Sequence, residues 1–144
     1  MSQSKQRVEV EHRYEASPEV VWAVYTDHAR WSEWAGVGSS RLVNEGTPDP
    51  NGVGAVCGFP GGTLEEVLSF DPPRRMTYTL TGGLFPIKNH LGEATLEADG
   101  SGTFLRWNCE FDPKIPGTGS LFRWMIQRTF TGALDGLEEY LREK

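Results

Sequence analysis

The sequence predicts an α+β protein: a curved antiparallel sheet of seven strands wrapped around one long C-terminal helix, with two short helices after the first strand. Three features predict it. A broad apolar stripe with a period of 3.6 residues runs from Gly119 to Arg142. Short runs of strand character, broken by Gly, Pro, Asp and Asn, fill most of the remaining chain. The two short helices interrupt this pattern only once, directly after the first strand.

Residues 7–16 alternate. Val8, Val10, His12, Tyr14 and Ala16 share one face, and Arg7, Glu9, Glu11, Arg13 and Glu15 the other. That is a half-buried strand, and it carries His12 inward. Ser17-Pro18-Glu19 supplies a helix cap, a first-turn proline and a first-turn acid, starting a helix through Val20, Val21, Trp22 and Tyr25. Asp27 is placed to cap a second short helix that holds Trp31 and Trp34 on one face and ends at Gly36 and Gly38. Strands follow over residues 40–44, 53–59, 63–70, 75–81, 89–98 and 103–112. The breaks between them are turn chemistry: the 47–52 loop, Phe59-Pro60-Gly61-Gly62, Asp71-Pro72-Pro73, the 82–87 loop and Asp99-Gly100-Ser101-Gly102. Strands at this spacing pair as antiparallel hairpins.

On the final helix, Phe122, Ile126, Ala133, Leu137 and Tyr140 lie along one line, widened by Met125, Thr129, Phe130, Leu134 and Leu141. Its length, roughly 35 Å, matches the width of a small domain. Gly132 and Gly136 each cost about 1 kcal/mol relative to alanine in a helix. They mark a close approach, either by a short helix or by a ligand. Trp124 falls on the polar side, under a loop or as an exposed contact.

A chain of 144 residues is read as one domain spanning 1–144, able to bury about two-thirds of its unfolded surface. Its net charge of −6 argues against nucleic acid as a partner. The longest apolar run, 20–25, is too short to span a bilayer, and residues 1–7 do not resemble a secretory signal, so a cytoplasmic location is expected. There Cys57 and Cys109 are expected as free thiols. His12, His28 and His90 lack metal-ligand spacing, and Gly52-Val53-Gly54 precedes a strand rather than a helix. No metal or cofactor is therefore expected. A homodimer is left open. Five Trp, seven Phe and four Tyr suit a large core or an aromatic-lined pocket.

Ser17-Pro18-Glu19-Val20-Val21-Trp22, Trp31-Ser32-Glu33-Trp34, Glu65-Glu66-Val67 before Asp71-Pro72-Pro73-Arg74-Arg75-Met76, and Gly100-Ser101-Gly102-Thr103 leading to Trp107 occur in a telling order. In that order, over almost the whole chain, the sequence resembles the START-like or Bet v 1-like superfamily, of the polyketide cyclase/dehydrase and lipid transport type. The resemblance implies a helix-grip fold with an apolar cavity between sheet and last helix, taking a small hydrophobic molecule such as a lipid, polyketide or aromatic metabolite. Phe59-Pro60-Gly61-Gly62 falls where the plant abscisic-acid receptors of this superfamily have their gate loop, and 82–91 resembles their latch. The gate lacks the serine-glycine-leucine opening, so hormone sensing is not implied. Its glycines, with Phe59, Leu84 and Phe85, fit a hinged apolar lid.

The expected lining is His12, Tyr14, Cys57, Phe59, Tyr78, His90 and Trp107 from the sheet, with Phe122, Met125, Ile126 and Thr129 from the helix and Leu84 and Phe85 at the mouth. Lys88 shares a face with His90 and is either a ligand anchor or a solvated lysine. One of Glu65 and Glu66 faces inward, since strand neighbours point to opposite faces; parity leaves the choice open. An alternative reading is a cyclase or dehydratase, with His12 or the inward glutamate as base and Tyr78 or His90 as acid. A third is a protein-interaction module like the relatives that assist the Hsp90 chaperone, using a patch around Trp124.

Overall fold

The structure, a computed structural model, describes residues 5–35, 39–82 and 87–143. Seven strands form one curved antiparallel sheet: β1 (Gln6–Tyr14), β2 (Arg41–Asn44), β3 (Val56–Gly58), β4 (Thr63–Asp71), β5 (Arg75–Gly82), β6 (Ile87–Asp99) and β7 (Gly102–Pro113). Their order is β1-β7-β6-β5-β4-β3-β2. Helix α1 (Pro18–Tyr25) and a 3-10 helix (His28–Glu33) link the two edge strands, and α2 (Gly119–Arg142) closes the chain. This is the curved sheet around a C-terminal helix expected from the strand and helix order, and the helix-grip architecture that the resemblance implies.

The local chemistry explains the boundaries. The Val20 backbone N–H donates to the Ser17 hydroxyl, and Pro18 occupies the first turn of α1, where its missing N–H costs nothing. Asp27 precedes the second helix without capping it by a side-chain bond, and the element winds as a 3-10 helix. It is held instead by Trp31, whose Nε1–H donates to the Tyr25 carbonyl at 2.7 Å. Gly36 and Gly38, expected to end it, lie outside the described residues. Strand β3 is shorter than the expected 53–59 because Gly54 takes φ +89° and Ala55 closes a turn onto the Gly52 carbonyl. Residues of β1 alternate as expected, with Val8 and Tyr14 buried and Arg7 paired to Glu110 on the outer face.

The core lies between the inner face of the sheet and α1, the His28–Glu33 helix and α2. It includes Tyr25, Trp31 and Trp34 from the helical segment, Met76, Leu105 and Phe111 from the strands, and Phe130, Leu134 and Leu137 from α2. The apolar stripe of α2 is unevenly buried. Phe130, Ala133, Leu134 and Leu137 are packed, whereas Leu121 and Met125 stand largely in solvent, and Trp124 on the far side is 58% exposed. Of the two helix glycines, Gly136 answers the close-approach reading. A Cβ there would sit 2.0 Å from the Trp34 carbonyl oxygen, so the 3-10 helix end and α2 meet backbone to backbone. Gly132 has no neighbour within 4 Å of that position. Both cysteines are free and buried. Among the described residues no helix is long and apolar enough to cross a membrane.

Candidate ligand cavity

A cavity of about 320 Å³ opens beneath the middle of α2. Its wall is Trp31 and Ala35 after the 3-10 helix, Phe59, Pro60 and Thr63 from the loop into β4, Glu65, Tyr78, Leu80 and Trp107 from the strands, and Thr129, Phe130 and Ala133 from α2. Trp107 and Phe130 stack with centroids 3.7 Å apart and planes within 6°, joining sheet to helix at the cavity's inner end. Trp31 lies edge-on to Trp107 and also touches Phe59.

One carboxyl interrupts this apolar wall. Glu65 is opposite Cys57 on β3 and Leu80 on β5, and its residue is 3% exposed. Glu66 points outward. The choice was not readable from parity because β4 shifts register between Val67 and Ser69. Before the shift Thr63, Glu65 and Val67 face inward; after it Phe70 does, packing on Trp22. Leu68 and Phe70, which share a face by simple alternation, therefore part company.

Behind Glu65 sits His28, also buried. Its Nε2–H donates to the Asn51 carbonyl at 3.1 Å, so Nδ1 is left as a bare acceptor 3.5 Å from Glu65 Oε2. That separation is too long for a hydrogen bond, and neither atom has another partner among the described residues. Burial pushes the Glu65 carboxyl up to about 8 and the His28 imidazole down. Near neutral pH the two groups hold one titratable proton between them, and it resides on Glu65. The Tyr78 hydroxyl accepts from Trp107 Nε1–H at 2.6 Å and keeps its own proton, for burial raises its phenol far above the usual range. Gly92 lets this ring lie flat across β6; a Cβ there would be 2.3 Å from Tyr78 Cζ. The Tyr25 hydroxyl and Trp34 Nε1 are likewise buried without a partner among the described residues.

Of the residues expected at the site, Phe59, Glu65, Tyr78, Trp107 and Thr129 stand on the wall. Of the others, those that the structure describes are placed elsewhere, which corrects the expected lining. His12 points at α2, where Nε2–H donates to Glu138 Oε1 at 2.7 Å and Nδ1 lies 3.9 Å from Asp135. The Tyr14 O–H donates to the Leu134 carbonyl. Cys57 faces inward but lies against the 3-10 helix, its thiol donating to the His28 carbonyl and pushed up to about 12 by burial. His90 forms a second layer behind Tyr78; its Nδ1 accepts from the Leu80 N–H, and burial takes it down to about 4. Lys88 is solvent-exposed and does not share the face of His90, because Asn89 takes φ +55° within a register shift. Phe122 and Ile126 pack on the core, and Met125 is exposed. Leu84 and Phe85 lie outside the described residues. Sequence reasoning missed His28 and Trp31 as site residues. The signal for Trp31 was its shared face with Trp34; a histidine next to a helix start gave none for His28.

The sequence profile of the polyketide cyclase/dehydrase and lipid transport family matches residues 5–142. The chain belongs to this family. No curated protein sequence matches it significantly. Among solved structures, a START superfamily protein from Mycobacterium smegmatis superposes with a TM-score of 0.79 at 12% identity, over 95% of this chain and 97% of that one. Ara h 8.0201 gives 0.78 at 17% identity over 98% and 100%. CalU16 from Micromonospora echinospora gives 0.70 at 20% identity over 99% and 85%. At such identities these likenesses establish the fold that the family member adopts.

Proposed function

We propose that the protein binds a small, mainly hydrophobic molecule in the cavity under α2. The observation that carries this is the cavity itself, about 320 Å³ walled chiefly by aromatic and aliphatic side chains in a family named for lipid transport and polyketide chemistry. That volume holds roughly ten waters, or a compact one- or two-ring molecule in their place. Native mass spectrometry of the purified protein is expected to reveal a bound small molecule, or a lipid and polyketide panel to raise the melting temperature. Thr129→Trp, made at an exposed position on the rim, fills the mouth and removes that shift. It changes the stability of the free protein by no more than about 0.5 kcal/mol. A protein with no co-purified molecule, no shift across the panel and no response to Thr129→Trp has no such function.

A second reading, acid–base cyclisation or dehydration of a polyketide-like substrate, is favoured by one feature. A carboxyl raised to about 8 and a phenol proton are both presented to the same chamber. Its test is turnover of a linear poly-β-ketone analogue that Glu65→Gln abolishes with folding intact. His12, paired with Glu138 away from the wall, has no part in this version.

A further inference from the structure

We infer that the cavity selects an organic cation, a protonated or quaternary amine on a small apolar body, with the ammonium seated between the Glu65 carboxyl and the surrounding rings. This deepens the reading of the cavity as a ligand site and rests on it.

The wall offers an acid and no base. Among the described lining residues there is no Lys, Arg or His, and Glu65 is the one carboxyl. Trp31, Phe59, Tyr78, Trp107 and Phe130 line the same cavity. Aromatic rings attract cations through their quadrupole, and the attraction grows where water is excluded. Glu65 stands in this wall with Oε2 turned toward His28 Nδ1 at 3.5 Å, and that oxygen accepts no hydrogen bond among the described residues, so a cation beside the carboxyl meets no competing donor. The chain's charge of −6 sets a field that draws cations to it.

The groups facing Glu65 cannot supply the countercharge. They are Tyr25 from α1, His28 from the 3-10 helix, Cys57 from β3 and Tyr78 from β5, with Asp27 and Asp49 beyond His28. Burial keeps both phenols and the thiol protonated and the imidazole neutral near pH 7. The cation that ionises this carboxyl must therefore come from outside. Binding exchanges one charge for another: Glu65 carboxylic acid and the ammonium ion give the carboxylate–ammonium pair, and one proton leaves to solvent. No covalent bond to carbon is made or broken.

The test compares three probes of similar size. Benzyltrimethylammonium carries a charge that does not titrate, neopentylbenzene is its neutral carbon isostere, and 4-phenyl-2-butanone offers a carbonyl acceptor. Tryptophan fluorescence gives the affinities, and calorimetry in two buffers of different ionisation enthalpy counts protons. The ammonium is expected to bind about tenfold more tightly per pH unit from 6 to 7.5, levelling near 8, and to release close to one proton at pH 7. Glu65→Gln, which matches the shape and charge of the protonated acid, should weaken the ammonium at least tenfold at pH 8.5. It should leave neopentylbenzene within twofold, which also shows the variant folded. If neopentylbenzene binds but the ammonium responds neither to pH nor to Glu65→Gln, the cation assignment is overturned and the cavity stands. A ketone preferred at low pH and lost in Glu65→Gln overturns it in favour of a neutral acid donating to oxygen. If no probe binds, both readings fall.

Discussion

Glu65 is the residue on which the interior chemistry turns, and its cost to the fold depends on pH. Burial holds its folded value at about 8, above the ordinary carboxylic value near 4.5. Between those values the folded protein keeps a proton that the unfolded chain has lost, so stability falls as pH rises. His28 and His90 act oppositely: their folded values are lowered, so they remove stability as pH falls below about 6.5. In the window from pH 6.5 to 8 the Glu65 contribution therefore outweighs theirs. Unfolding free energy measured by urea titration should drop by about 1 kcal/mol across it, because Glu65 begins to ionise near 8 and the two imidazoles of the unfolded chain still release protons just above 6.5. In Glu65→Gln that fall should be absent and stability should rise slightly with pH instead. A wild-type profile flat from 6.5 to 8 means that the carboxyl is ionised throughout and stabilised by something not seen here. The carboxylate was half legible beforehand. The dipeptide Glu65-Glu66 guaranteed one inward acid, but the bulge that decides which one is a tertiary feature of the β4–β5 pair with no mark in the local sequence.

At the scale of elements, α2 shows how much a helical pattern can and cannot say. Its extent and buried stripe were legible because periodicity is local, and the structure places the helix over the expected residues. How the stripe divides was not legible. Whether Ile126 meets the sheet or Met125 meets solvent depends on how far the helix tilts from the strands. The same limit applies to β1, where alternation carried His12 inward but could not say that α2, and not a cavity, waits there. The two glycines of α2 separate these influences. Gly132→Ala adds a methyl with nothing within 4 Å and should stabilise the protein by about 0.5–1 kcal/mol through helix propensity alone. Gly136→Ala drives a Cβ into the Trp34 carbonyl and should destabilise by about 1–3 kcal/mol despite the same propensity gain. Chemical denaturation of the two variants side by side checks this. Equal stabilisation by both would mean that the 3-10 helix is not pressed against α2.

Across the whole molecule, sheet and helix grip each other unequally. In the second half of α2, Tyr14 bonds to the Leu134 carbonyl, His12 to Glu138, and Gly136 meets Trp34. In the first half, Phe122 and Ile126 pack on the core, but Thr129 lies on the cavity rim and Met125 is 40% exposed, so the cavity interrupts the contact between helix and sheet. A helix turn fastened at one end opens locally at lower cost than the fastened end. Amides of residues 121–129 should therefore exchange with deuterium at least tenfold faster than those of 130–141. A ligand filling the cavity supplies the missing contacts between α2 and the sheet, and at a hundred times its dissociation constant it adds about 2.7 kcal/mol to every opening that requires its release. Saturation should thus slow exchange in 121–129 by up to roughly a hundredfold, and leave untouched any amide in 130–141 that opens without releasing it. Hydrogen exchange read by mass spectrometry, with and without the tightest-binding probe, measures both halves at once. Uniform exchange along α2 would mean that the helix is seated evenly and that the space beneath its first half is not what loosens it.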